Sequence, residues 1–539
     1  MTTPTAPRRT SRRRGGWPAI AGAIGLAAGP VSAAAEEPAG TRAAGEVVAP
    51  ATLVVETQAE APEAMEGEAA ASLSLEAVLE SASLHFPSLQ ALSAELELRA
   101  AQVQSARGAF DVRLGVEGEL RPEGFYERET AGVDLEAPTR LWGTKFSAGY
   151  RIGDGDAASY DAGALTDEDG EFSVGVEIPL LRGGFTDKER TRIAKAEIDL
   201  RSLSPEAQLR WIAVVRDASL AYWNWVAAGR RLGIAETLLR VAEERQSQIE
   251  RRVRAGAEPE IDLVDNGRLI VERKARLRRA VQDFEQASIT LSLYRRDDTG
   301  APSVPDRAFL PPTFPSELLP PDERIRSDLE HAGEDHPRLQ QLDLAREKLI
   351  AELGLARNEL LPELDFEVKG SQDMGRNRPG INEFGSLSQE SRGSTEILAK
   401  LRLSLPLQMR DARGRATAAQ ARVARLDAET RLARDRILAE VHRALAGLRA
   451  ALDQTEQARE NVRLARTLRD AEGRRFALGL SNLIDVNIRE IQAATASQEL
   501  VDAQAAFFRS LATYVARVGR PPESFVRDGR WIASVSSGD

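Results

Sequence analysis

The chain has 539 residues, 29% of them charged, with a formal net charge of −11, four histidines and no cysteine. The acidic balance argues against nucleic acid as a partner. The lack of cysteine excludes a disulfide framework, a thiol nucleophile and a lipid-anchoring thiol near the amino terminus. No stretch reaches 18 consecutive apolar residues, so no helix is predicted to span a bilayer, whereas an exported chain can still cross one as a β-barrel.

Residues 1–35 carry Arg8, Arg9, Arg12, Arg13 and Arg14, then an apolar run from Trp17 to Gly29, then Ala33, Ala34 and Ala35. A basic start, an apolar run of about a dozen residues and a small-residue exit predict a secretory signal peptide. Its removal takes away five arginines and no acidic residue, which moves the net charge from −11 to −16. Residues 36–72 are rich in Ala, Glu, Pro and Gly without periodicity, and are expected to be a disordered leader.

Beyond the leader the chain repeats itself. Pro87, Leu89, Ala106, Arg107, Leu114 and Glu117 return as Pro337, Leu339, Ala356, Arg357, Leu364 and Glu367. Further on, Pro179-Leu180 returns as Pro406-Leu407, and Gly256 with Ile261-Asp262 as Gly479 with Ile484-Asp485. Landmarks in one order predict a duplicated unit of about 225–250 residues. The first repeat is expected over 73–296 and the second over 322–519, joined by a Pro-rich linker at 297–321 and followed by a tail at 520–539. In each repeat a helix leads to strands, a very long helix, a tight turn and another helix.

The long helices, from about Asp187 to Ala255 and about Asp411 to Leu478, would each reach roughly 100 Å at 1.5 Å per residue. The two shorter helices of a repeat sum to nearly that length, so stacked end to end they could lie along the long one. Apolar positions every three or four residues, as in Leu238, Val241, Ile249 and Val253, suit coiled packing. A restart is predicted near Ser204-Pro205, with Ser as cap and Pro as first helical residue.

Between the helices the period changes to two. Leu114, Val116 and Leu120 alternate with Arg113, Glu117 and Glu119; Phe172, Val174, Val176 and Ile178 alternate with polar or glycine neighbours. In the second repeat Leu364, Phe366 and Val368 alternate with Asp365, Glu367 and Lys369, and Leu401, Leu403 and Leu405 with Lys400, Arg402 and Ser404. One oily and one charged face suits a wall between lipid and a wet lumen, with Val174, Val176, Leu401 and Leu403 expected to face lipid. A half-buried sheet of a soluble domain gives the same alternation. Four strands cannot close a barrel alone, so several chains would share one. Phe146, Ala148, Tyr150 and Ile152 likewise alternate with Lys145, Ser147, Gly149 and Arg151, so the further segment 139–153 looks like more strand, either enlarging the external loops or extending the sheet.

These residues resemble the TolC-like outer-membrane efflux protein family over about residues 73–519. The entry Leu73-Ser74-Leu75-Glu76-Ala77 followed by Pro87, the strand exits at Pro179–Gly184 and Pro406-Leu407, and the turns from Gly256 and Gly479 carry the likeness. The resemblance implies an α+β membrane protein. Three chains would share a 12-stranded outer-membrane barrel continued by a long α-helical periplasmic barrel. It also implies an exit duct of a tripartite efflux pump, passively conducting small molecules, with a periplasmic adaptor and an inner-membrane pump, proton-driven or an ATPase, as partners. Outer-membrane component of type I secretion or of metal-ion efflux is the alternative. In the family the turns meet the adaptor at the periplasmic tip, which assigns Gly256 and Gly479 to adaptor docking and Asp262, Asp265 and Asp485 to the entrance. The second-repeat counterpart of Asp265 is Ile488, and Val253 and Phe476 lack the hydroxyl that can lock a closed entrance.

A duct predicts no catalytic constellation and no cofactor. No phosphate-binding Gly-x4-Gly-Lys-Ser/Thr, no His-Glu-x-x-His and no cysteine nucleophile is present. His85, His331, His336 and His442 are scattered and read as solvated rather than metal ligands. A periplasmic coiled-coil scaffold would use the same helices without needing two-faced strands, and a secreted enzyme would need a polar site.

Overall fold

A computed structural model describes residues 72–123, 127–155, 166–256, 259–376, 395–478, 480–520, 526–527 and 530–531. The signal-peptide and leader segments lie almost wholly outside the described residues, as do Gly479 and most of the tail. Helix α1, Leu75–His85, starts at Ser74, whose hydroxyl accepts from Ala77 N at 3.1 Å. Helices α2, Pro87–Arg107, and α7, Pro337–Asn358, each begin with proline, whose missing N–H costs nothing in a first turn.

The first long helix is broken into α3, Lys188–Arg201, and α4, Leu203–Arg254, whereas α8 runs uninterrupted for 68 residues, Arg410–Ala477. The break falls at Ser202 rather than at the expected Ser204. Proline at 205 can neither donate to nor sit beside the carbonyl four residues back, that of Arg201, so the helix must stop there. The Ser202 hydroxyl turns back onto Asp199 O at 2.7 Å.

Shorter helices accompany the long ones. Helix α2 packs on α3 and α5, Ile261–Ser292, on α4; likewise α7 and α9, Leu483–Val518, lie along α8. The ends of the short helices meet: Phe86, before α2, stacks on Tyr294, after α5, with ring centroids 5.4 Å apart. Gly519 ends α9 at φ +80, where a Cβ would fall 2.5 Å from the ring of His336, the residue that caps α7. His336 Nδ1 accepts from Arg338 N at 3.0 Å, and the side chain is buried rather than solvated as expected. The two hairpins join side by side through α4 and α9.

A belt of aromatic core lies where α4, α5, α8 and α9 meet α1 and α6, Asp322–Glu334. Trp225 and Phe507 are fully buried, and Trp223 stacks on Phe508 with centroids 4.2 Å apart. Truncating one such ring costs about 3–5 kcal/mol, so this belt, rather than the charge-rich coils, anchors the helices. Linker residues close it: Leu73 N donates to Phe309 O at 2.8 Å, and Tyr222 OH to Leu73 O at 2.8 Å.

Six strands form one antiparallel sheet in chain order: β1 Arg113–Arg121, β2 Arg128–Pro138, β3 Lys145–Gly155, β4 Glu171–Pro179, β5 Glu363–Asp373 and β6 Thr395–Ser404. Among the described residues the expected four sheet strands are thereby corrected to six, and of the segment 139–153 residues 139–144 form the turn after β2 while 145–153 belong to β3 and extend the sheet. β2 went unread because Gly132, Glu129 and Glu136 dilute its β-propensity, although Ala131, Val133, Leu135 and Ala137 keep the period of two. Registered partners Leu114, Leu135, Ala148, Val174, Gly370 and Ile397 run as one row across all six strands. That face is uncovered: Leu114 is 68%, Val116 76% and Ile397 76% exposed. The opposite face carries Lys145 with Glu177 at 3.4 Å, Arg151 with Glu171 at 2.6 Å and Lys400 with Glu367 at 4.0 Å.

Candidate functional site

The end of the molecule remote from the sheet is made by two helical reversals, α4 into α5 and α8 into α9. At the first, Ala255 N donates to Arg251 O and Gly256 N to Val253 O at 2.9 Å, and Gly256 turns the chain at φ +68. A Cβ there would meet nothing within 4 Å, so glycine is required by its backbone conformation and not by space. Asp262 lies in the first turn of α5, where the helix dipole favours an anion, and is half-buried; Asp265, one turn on, is exposed.

At the second reversal Asn482 caps α9: its Oδ1 accepts from Asp485 N at 2.9 Å and its Nδ2 donates to Asp485 Oδ2 at 3.0 Å. The Asp485 side chain is exposed and its carboxylate is held by its own cap. A single chain thus places the three aspartates on two separate reversals. Phe476 supplies a different bond from the hydroxyl it lacks: its ring lies 5.7 Å from the guanidinium of Arg252, linking α8 to α4.

About one to two turns above the aspartates lies a cluster that sequence reading missed. Glu490 of α9 accepts from Arg273 of α5, Nη2 to Oε2 at 3.0 Å, and from Arg245 of α4. Arg245 also donates to Asn487 Oδ1, and Arg273 to the Leu238 carbonyl. Beside them Asn266 Nδ2 donates to Ala242 O at 3.0 Å and Gln246 Oε1 at 2.8 Å. Arg273 is 2% exposed; burial pushes its guanidinium below the usual range and Glu490 pulls it back. Two cations thus share one buried anion across three helices from both hairpins. A signal existed: Glu490 falls on the stripe of Val486, Ala493 and Ala496, and Arg273 follows Leu269, so each charge interrupts a buried apolar row. In helices this rich in charge, such interruptions look like the solvated faces around them.

Beside this cluster a cleft of about 1360 Å³ opens between α4, α8 and α9, lined by Arg230, Arg252, Arg466 and Arg474 as well as Asp470 and Glu490. Residues 329–519, from within α6 to the end of α9, match the family model for outer membrane efflux protein. That segment, about a third of the chain, is similar to the outer membrane efflux protein family. Solved structures agree in fold: a membrane protein from Pseudomonas aeruginosa is 18% identical, with 83% of this chain and 92% of that one covered and a TM-score of 0.57. The outer membrane protein VceC of Vibrio cholerae is 15% identical (83% and 96% covered, TM-score 0.56), and the open-state MtrE outer membrane channel of Neisseria gonorrhoeae 17% identical (83% and 88%, TM-score 0.56). No curated protein matches the chain by sequence.

In the sheet the four strand residues expected to face lipid share one face. Leu403 pairs with Leu364 and Leu401 with Phe366 across β5–β6, while Val174 and Val176 pair with Ala148 and Phe146 across β3–β4. Leu401 and Leu403 are 64% and 65% exposed.

Proposed function

We propose that this chain is an outer membrane efflux protein, three copies of which form a passive exit duct, with the six-stranded sheets sharing one barrel in the outer membrane and the helices continuing as a tunnel into the periplasm. An inner-membrane pump, proton-driven or ATP-hydrolysing, would deliver small molecules to it through a periplasmic adaptor. The observation that carries this reading is the sheet. It has an uncovered apolar face and a charged opposite face, and it stands at one end of helices roughly 100 Å long. A scaffold of coiled helices has no use for such a wall. The internal duplication fits the reading, since two hairpins per chain supply alternating staves of a tunnel.

At the tip, three chains would bring three copies each of Asp262, Asp265 and Asp485 around a narrow wet opening that favours cationic or neutral solutes. Gly256 and Gly479 would shape the reversals that the adaptor meets, and the arginine-rich cleft beside them fits an acidic segment of that adaptor. The test uses purified protein in mild detergent and in planar bilayers. A heat-sensitive trimer is expected, and replacing the three aspartates by alanine should lower cation preference and weaken block by multivalent cations while the trimer persists. A monodisperse monomer would overturn the duct. Unchanged selectivity would remove these aspartates from the opening.

A further inference from the structure

The six strands per chain have a consequence for the wall itself, resting on the shared-barrel reading above. Strands β1 and β6 are the two edges of the sheet, nine and ten residues long, near the length that crosses a bilayer when tilted. Neither edge is blunted: β1 and β6 contain no proline, and Lys400 and Arg402 of β6 point to the charged face, not outward along the edge. The apolar row reaches both edges, ending in Leu114 and Ile397. Six antiparallel strands start in one direction and finish in the other, so β6 of one copy meets β1 of the next antiparallel and the alternation continues without a fault. In lipid each edge must be paired, because unpaired backbone groups cost several kcal/mol apiece. The occupant of each edge is a second copy of this chain.

The β2–β3 hairpin belongs to that wall by its own pattern. Val133, Leu135, Phe146, Tyr150 and Ile152 lie on the apolar face, and Asp134, Glu136, Lys145 and Arg151 on the other, in register with β1 and β4. Its inner turn is fastened to the junction of β4 and α3. Trp142 Nε1 donates to Pro179 O at 2.7 Å, its ring packs on Phe185 with centroids 4.3 Å apart, and Thr139 Oγ1 donates to Thr144 O at 2.8 Å. Trp142 sits at φ +54, a conformation that a bulky residue keeps only when its surroundings enforce it. Aromatic side chains at this level suit the girdle at a barrel's rim.

We propose that three copies of this chain close an eighteen-stranded barrel, with β2 and β3 as two additional wall strands per copy. Barrel diameter grows roughly in proportion to strand number, so the outer opening is about 1.5-fold wider than a twelve-stranded ring of the same tilt.

The cysteine-free chain allows a direct test in isolated outer membranes with a mild oxidant or a short bis-maleimide. Within one chain, Val116→Cys with Val133→Cys and Ala148→Cys with Val174→Cys should cross-link. Val116→Cys with Phe172→Cys should stay apart, because two strands separate them. Between chains, Val116→Cys combined with Ile397→Cys, Ala399→Cys or Leu401→Cys should give a ladder of dimer and trimer in at least one pairing. A Val116–Phe172 cross-link with an intact ladder would place β1 against β4 and the hairpin outside a twelve-stranded wall, overturning the strand count and leaving the shared barrel standing. Intact cross-links within the chain and no ladder in any pairing would overturn the shared barrel itself.

Discussion

Buried charge is decided residue by residue. Glu490 neutralises only one of the two guanidiniums it holds, so its replacement by Gln leaves Arg245 and Arg273 together without a counter-ion. Removing one partner of a buried pair costs about 3–5 kcal/mol. The loss should be local: faster hydrogen exchange in α4, α5 and α9 near the reversals and a higher open probability in bilayers, with the aromatic belt unchanged. His336 behaves differently because it is buried as the neutral ring, its pKa lowered to about 4 mainly by desolvation and then by His331, Arg338 and Arg517. The unfolded chain binds a proton near pH 6.5 that the folded one refuses until about pH 4, so stability falls as pH drops through that window, by about 3 kcal/mol at most. His336→Asn keeps an N-cap and removes the proton, and should flatten the slope in chemical denaturation between pH 6.5 and 4. On the sheet, Leu403→Arg sets a charge on the uncovered apolar face and should cost about 2–4 kcal/mol in assembly if it lies near mid-bilayer. Arg402, on the other face, should tolerate Glu or Gln, and the melting of the trimer compares the two positions.

Reversals and breaks are element-scale matters, written by glycine and proline. Gly256→Val would place a β-branched residue at φ +68, costing about 1–2 kcal/mol although the space is empty. Gly256→Asn should recover most of that loss, and binding of the adaptor measured for both variants would separate conformational strain from lost contact. The long helices, the reversal at Gly256 and most of the two-faced strands were legible because each has a local cause: a period of 3.6 or 2, a proline or a glycine. Strand β2 was not, since alanines stand at two of its four apolar positions and Gly132, Glu129 and Glu136 dilute its β-propensity. The helix break shifted from Ser204 to Ser202 for a reason equally local, the reach of a proline ring back to the preceding turn.

At the scale of the whole molecule, the sheet is what the proposed assembly rests on. The apolar face is uncovered and the two edges are open, and the proposed assembly would meet both needs, with lipid against the face and further chains along the edges. The helices place the acidic reversals far from that wall, so in the proposed duct solute entry and membrane crossing would be separate steps. Asp265 and Asp485 are exposed and Asp262 is half-buried; charges so placed contribute little to stability, so loss of selectivity without loss of the trimer is the outcome expected of the triple aspartate variant.

The sequence by itself determined the periods, the reversals, the alternating faces and the family likeness, because these depend on residues close together along the chain. The tertiary structure decided the number of strands in the sheet, the burial of His336 and the Arg245–Glu490–Arg273 cluster. Each of these joins segments tens to hundreds of residues apart. A charge in a helix reads as solvated until a second helix covers it, and a weak strand reads as a loop until its neighbours pair with it.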